Sequence, residues 1–248
     1  ANAACCWYHQ EKELSQKDFV RQAIGFAYSR YARALLLGKR LPEAEREKVL
    51  EQLHTFCGLD RTLLEKQKLR FSEQDFVRRL CPGEVVSTYD SRLTYRPEAH
   101  EEYAGASVES AEIEESDLDQ DAFMNTIGPA FRSALSVYFQ EELQVPPDRE
   151  YLPDQLEISD HWDYRTCEKD TLALPAELMQ ARPRLRMLFV NGCYDLSSTF
   201  DFMIYYLSQY DLPADRVERL VLPSGHASYV GEGMAAELSR SIRAFLQG

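Results

Sequence analysis

The chain has 248 residues, 44% of them hydrophobic, with 14 Tyr and 12 Phe. This composition excludes a disordered chain, which is poor in apolar side chains and cannot offset the entropy of ordering. A formal net charge of −13, with no basic cluster, argues against nucleic acid as a partner, because phosphate binding needs a local Lys/Arg excess.

No run reaches the ~20 apolar residues of a membrane helix, and no secretory leader pattern opens the sequence. Cys5, Cys6, Cys57, Cys81, Cys167 and Cys193 form no C-x-x-C pair. Free, buried thiols are therefore expected, not a zinc or dithiol site. His9, His54, His100 and His161 are scattered and lack the spacing of metal ligands. No Gly-rich loop is placed to cradle a phosphate, so neither a metal nor a cofactor is expected.

In chain order, residues 12–82 read as a helical cluster. "SQKDFVRQAIGFAYSRYARALLLG" offers Ser15 as an N-cap, Asp18 in the first turn and Gly38 as a stop. Phe19, Ile24, Ala27, Tyr28, Tyr31 and Leu35 recur at helical spacing. A second helix is expected with Pro42 in its first turn and Gly58 just past its end. Further helices open at Asp60 and Ser72, the last closing at Pro82-Gly83. Residues 84–120 read as irregular and polar, with the acidic run "HEEYAGASVESAEIEESDLDQD" as a solvated loop. A long helix is expected over residues 121–144, with a bend at Gly128-Pro129. "VPPDREYLPD" follows as a proline-rich loop.

From about residue 175 the pattern alternates: helix "PAELMQARP", strand "RLRMLFVNG", helix "STFDFMIYYLSQY", strand "RVERLVLPSG", and a final amphipathic helix. Such alternation predicts a parallel α/β sheet. Two strands are too few to complete one. The remaining strands are expected from another segment or another copy, and an open sheet edge predicts self-association.

Each strand delivers a polar residue in the turn behind it: Asp195 after "LFVNG" and His226 after "LVLPSG". Taken singly, a turn Asp is commonly an Asx-turn or helix cap, and a His after Gly a plain loop residue. Taken together, an acid and then a base at consecutive strand ends follow the Ser, Asp/Glu, His order of α/β-hydrolase triads. "HWDY" at residues 161–164 is aromatic and polar, suited either to lining a pocket or to packing at a sheet edge.

"LFVNGCYDLSSTFDFMIYYL" with "LPSGHASYV" resembles the C-terminal part of the serine carboxypeptidase family, the α/β-hydrolase peptidases. "CCWYHQ" is similar to the family's Ala-Trp-Tyr-His stretch, and "DHWDY" to its Trp-Asp motif near the sheet. "GLDRTLLEKQKLRFSEQDFVRRL", followed by "TYDSRLT", resembles the family's insertion with its Asp-x-Arg-x-Thr motif. The resemblance implies a partial α/β-hydrolase fold. Residues 1–120 would form a mainly helical lid, and residues 121–248 the C-terminal part of the catalytic domain.

It implies Asp195 as triad acid, His226 as triad base, and Trp162, Tyr194 and Tyr229 as substrate-binding side chains. The implied reaction is hydrolysis of C-terminal peptide bonds, with a peptide as substrate and no cofactor. The family's nucleophile sits in Gly-Glu-Ser-Tyr-Gly, yet no G-x-S-x-G occurs here. "GASVE" at residues 105–109 lacks the second Gly. The nucleophile, the oxyanion hole and the first strands are therefore expected in an N-terminal half outside this chain, which alone should be inactive. A secreted or periplasmic location would follow if that half carries a signal peptide. The sequence departs from the family at Ala227-Ser228, Ser198-Thr199 and Cys193, all bordering the implied site. A degenerate relative acting as a binding protein, or another α/β hydrolase such as an esterase, are the competing readings.

Overall fold

The computed structural model describes residues 1–7, 15–96, 121–146, 158, 161–163 and 173–248. The acidic run at residues 100–120, most of the proline-rich loop, His9, His100, Tyr164 and Cys167 lie outside the described residues.

The helical cluster begins with α1 (Asn2–Trp7) and α2 (Gln16–Phe26). The Ser15 hydroxyl caps α2 by accepting from the Asp18 N–H at 3.2 Å. The spacing predicts one continuous helix to Gly38. Instead a π turn, Ala27–Tyr31, separates α2 from α3 (Ala32–Leu37). The wider turn shifts the phase of the helix face. Tyr31 turns inward, stacks on Phe26 at 5.7 Å and donates to the Leu69 carbonyl at 2.6 Å. Tyr28 stays half-exposed and meets the Tyr205 ring at 6.4 Å.

Next come α4 (Glu43–Cys57), behind Pro42, and α5 (Arg61–Lys66), whose Thr62 and Leu63 N–H groups donate to the Asp60 carboxylate at 2.8 and 3.2 Å. Helix α6 (Glu73–Arg79) starts in a reciprocal capping box between Ser72 and Asp75. These amphipathic helices bury one core, centred on Val49, Leu50, Leu53, Leu59, Leu64, Phe76 and Val77. The strand pair β1 (Val85–Val86) and β2 (Thr94–Tyr95) closes antiparallel where the sequence reads as irregular. Two-residue strands are too short to show a period-2 pattern.

Helix α7 (Ala122–Glu141) runs on through Pro129 and stops before the expected residue 144. A proline removes one backbone donor, and the rest of this helix continues around it. The alternating region then folds as read: α8 (Leu174–Ala181), β3 (Met187–Gly192), α9 (Phe200–Gln209), β4 (Val217–Leu222) and α10 (Met234–Gln247). Strands β3 and β4 pair in parallel, from Met187 opposite Val217 to Gly192 opposite Leu222. The chain is thus a mixed helix and strand fold with small sheets. Among the described residues the parallel sheet contains only these two strands, and Val221 in β4 is 45% exposed. Helix α10 has no buried residue. Among the described residues no helix is long and apolar enough to cross a membrane.

Candidate active site

The carboxyl ends of β3 and β4 lie side by side, because the register pairs Gly192 with Leu222. Pairing continues past both strands. The Cys193 N–H donates to the Leu222 carbonyl at 2.9 Å, and the Tyr194 N–H to the Ser224 carbonyl at 3.0 Å. Gly192 lets the two turns approach so closely, and Gly225 lets residues 89–90 approach the second turn. A Cβ on Gly192 would stand 2.0 Å from the Gly225 oxygen, and one on Gly225 would stand 2.4 Å from the Tyr89 oxygen. Backbone atoms block both positions, so no flexible side chain could move aside to make room.

These turns bring Asp195 and His226 together. The His226 Nδ1 lies 2.9 Å from the Asp195 Oδ2. An ionised carboxylate is acceptor-only, so Nδ1 is the donor in this contact. The other Asp195 oxygen accepts from the Ser198 N–H at 2.9 Å. Both carboxylate oxygens are thus engaged, and the Asp195 side chain is only 4% exposed. The His226 side chain is 46% exposed. The contact therefore joins a buried carboxylate to an accessible imidazole. Among the described residues no hydroxyl or thiol is hydrogen-bonded to Nε2.

A third segment, residues 87–92 between β1 and β2, is threaded against both turns. The Thr88 carbonyl accepts from the Leu196 and Ser197 N–H groups at 2.9 and 3.2 Å. The Ser91 N–H and hydroxyl both donate to the Tyr194 carbonyl, at 3.0 and 2.8 Å. On the other turn, the His226 N–H donates to the Tyr89 carbonyl at 2.7 Å. The Tyr89 ring meets the His226 ring edge-on at 5.4 Å. The segment itself is moored by buried Asp121, which accepts from the Ser87 hydroxyl at 2.7 Å and the Thr88 N–H at 3.0 Å while capping α7. The sequence marks this segment only through "TYDSRLT", the Asp-x-Arg-x-Thr motif of the resemblance, which gives it no part in the site.

Tyr194 turns away from the base. Its hydroxyl shares a hydrogen bond with the Gln16 amide, 3.0 Å from Nε2, and the Arg92 guanidinium covers its ring at 4.8 Å. Tyr229 is half-exposed, three residues past the base, with its ring edge-on to Phe131 at 6.2 Å. Trp162 is 64% exposed. It takes no part in the contacts that join the two turns. Leu196 packs against the helical core, anchoring the acid turn in it. Beside that turn lies an open cavity of about 440 Å³, lined by Asn191, Leu196, Ser197, Ser198, Thr199, Phe202 and Met203.

Burial, only partly offset by the Arg92 charge, pushes the Cys193 thiol up to about 11. Partial burial, and then the Asp195 charge, raise the Glu73 carboxyl above its ordinary value. Ser224 is fully buried between the turns, and among the described residues its hydroxyl has no hydrogen-bond partner. The described residues contain no group of three or more His, Cys, Asp or Glu able to hold a metal. No family model matches the chain, and neither the curated proteins nor the solved structures contain a match to it.

Proposed function

We propose that this chain carries the acid and base of a Ser–Asp–His hydrolase, of the serine carboxypeptidase type, whose nucleophile comes from a segment outside it. The observation that carries the reading is the Asp195–His226 pair, a 2.9 Å contact between a buried carboxylate and an accessible imidazole. In such a site a serine hydroxyl would attack the carbonyl carbon of the last peptide bond. The His226 Nε2 would take the hydroxyl proton and then pass it to the departing amine. Asp195 would hold the ring in the Nδ1–H tautomer and stabilise the imidazolium. The cavity beside the acid turn and half-exposed Tyr229 are the surfaces on which a peptide would rest.

The test is reconstitution. The 248-residue chain alone should neither release C-terminal amino acids from peptides nor react with a fluorophosphonate probe. Mixed with a separately produced N-terminal segment carrying a G-x-S-x-G serine, it should do both. His226→Ala should abolish turnover, because triad members act as a unit. Turnover by the chain alone, lost on His226→Ala, would refute the division of the site between segments. Reconstituted turnover that survives His226→Ala would refute the assignment of the base.

A further inference from the structure

Arg92 touches both turns that carry the acid and the base. Its Nη1 donates to the Pro223 carbonyl at 3.0 Å, three residues before His226. Its guanidinium lies over the ring of Tyr194, the residue before Asp195. The rest of the guanidinium is spent on Asp90: Nε donates to Oδ1 at 2.8 Å and Nη2 to Oδ2 at 2.6 Å. Asp90 is only 4% exposed, and its Cβ would be 2.7 Å from a Cβ on Gly225. Such a two-pronged contact fixes the guanidinium plane, not only its charge. The geometry is thus a rigid bracket. One arm holds the base turn through Pro223 and the other braces the acid turn through Tyr194.

We infer that Arg92, clamped by Asp90, is a positioning residue that sets the His226 ring on Asp195 by bracing the two turns against each other. The inference rests on the acid–base reading above, but it concerns the pair's geometry and needs no nucleophile to be tested. No hydrogen bond or ring contact joins Arg92 or Asp90 to His226, so loss of the bracket should free the ring without removing either partner.

The experiment uses the whole chain, with 15N-labelled histidine, at a pH above the imidazole range. The unsubstituted protein should show the His226 ring locked in the Nδ1–H tautomer. In Arg92→Gln the His226 nitrogens should move to the averaged shifts of a ring exchanging between tautomers, with far-UV circular dichroism unchanged. Arg61→Gln, which removes an exposed ion-pairing arginine of the helical cluster, should leave the ring locked. Arg92→Lys keeps the charge but not the fork, and should also release the ring. A ring that stays locked in folded Arg92→Gln overturns the inference. If Arg92→Gln does not fold, Arg92→Lys decides in the same way, and failure of both to fold overturns it by making the bracket a stability element. A ring not locked in the unsubstituted chain overturns the acid–base pair itself, and the inference with it. A ring locked there but indifferent to Arg92 leaves the pair standing.

Discussion

Gly192→Ala should pull the acid and base apart while leaving both in place. The added Cβ would meet the Gly225 oxygen at 2.0 Å and the Ser224 oxygen at 2.4 Å. Even the tightest contacts of real Cβ atoms need about 1 Å more, and the obstacle is backbone, so the turns themselves must separate. A shift of that size strains the two hydrogen bonds that bridge the turns, from Cys193 to Leu222 and from Tyr194 to Ser224. It also carries the 2.9 Å His226–Asp195 contact to a distance at which no hydrogen bond remains. Overpacking costs about 1–3 kcal/mol, and each strained hydrogen bond about 0.5–1.5 kcal/mol. The expected loss is therefore about 2–6 kcal/mol, a large part of a domain's usual margin. In urea unfolding this should lower the midpoint by roughly 1–2 M. The matched control is Gly25→Ala in α2, where nothing lies within 4 Å of the new Cβ. There the helix should gain about 0.5–1 kcal/mol. Equal midpoints for Gly192→Ala and the unsubstituted chain, with the His226 ring still on Asp195, would refute the close-approach argument.

Ser72→Ala removes one half of the capping box on α6 and should cost about 1 kcal/mol in urea unfolding; no change would mean that the box is idle. Ser224→Ala removes a fully buried hydroxyl with no partner among the described residues and should raise stability by about 1 kcal/mol. A loss on that substitution would show that the hydroxyl is hydrogen-bonded. Cys193 should resist alkylation at pH 8 until the chain is unfolded, because burial pushes its thiol up to about 11 and leaves little thiolate. The unfolded thiol loses its proton first, so Cys193 favours the fold below the ordinary thiol value of 9.0 and ceases to do so as pH rises toward about 11. Cys193→Ser should flatten that part of the stability–pH curve, and an unaltered curve would show that the thiol plays no part.

The elements themselves were largely legible in the sequence, because caps and periodicity are local. Ser15, Asp60 and Ser72 start helices where their side chains can reach the orphan N–H groups of the following turn. The alternation from residue 174 onward was legible for the same reason, since strand and helix periods differ within a few residues. Asp195 and His226 stood out because each follows a strand in a short turn. The π turn at Ala27–Tyr31 was not legible, because a one-residue phase shift depends on what each side of the helix packs against. Nor were β1 and β2, which at two residues each are too short to show an alternating pattern. Only the tertiary structure brings residues 87–92 between the acid and base turns. That placement rests mainly on backbone hydrogen bonds joining Thr88, Tyr89 and Ser91 to residues more than a hundred positions away in sequence. Backbone groups are the same in every residue, so such contacts leave no mark in the side chains that make them. The glycines at 192 and 225 show the reverse case. Each is visible in the sequence, but only a close backbone approach gives it a reason, from the second turn at Gly192 and from residues 89–90 at Gly225.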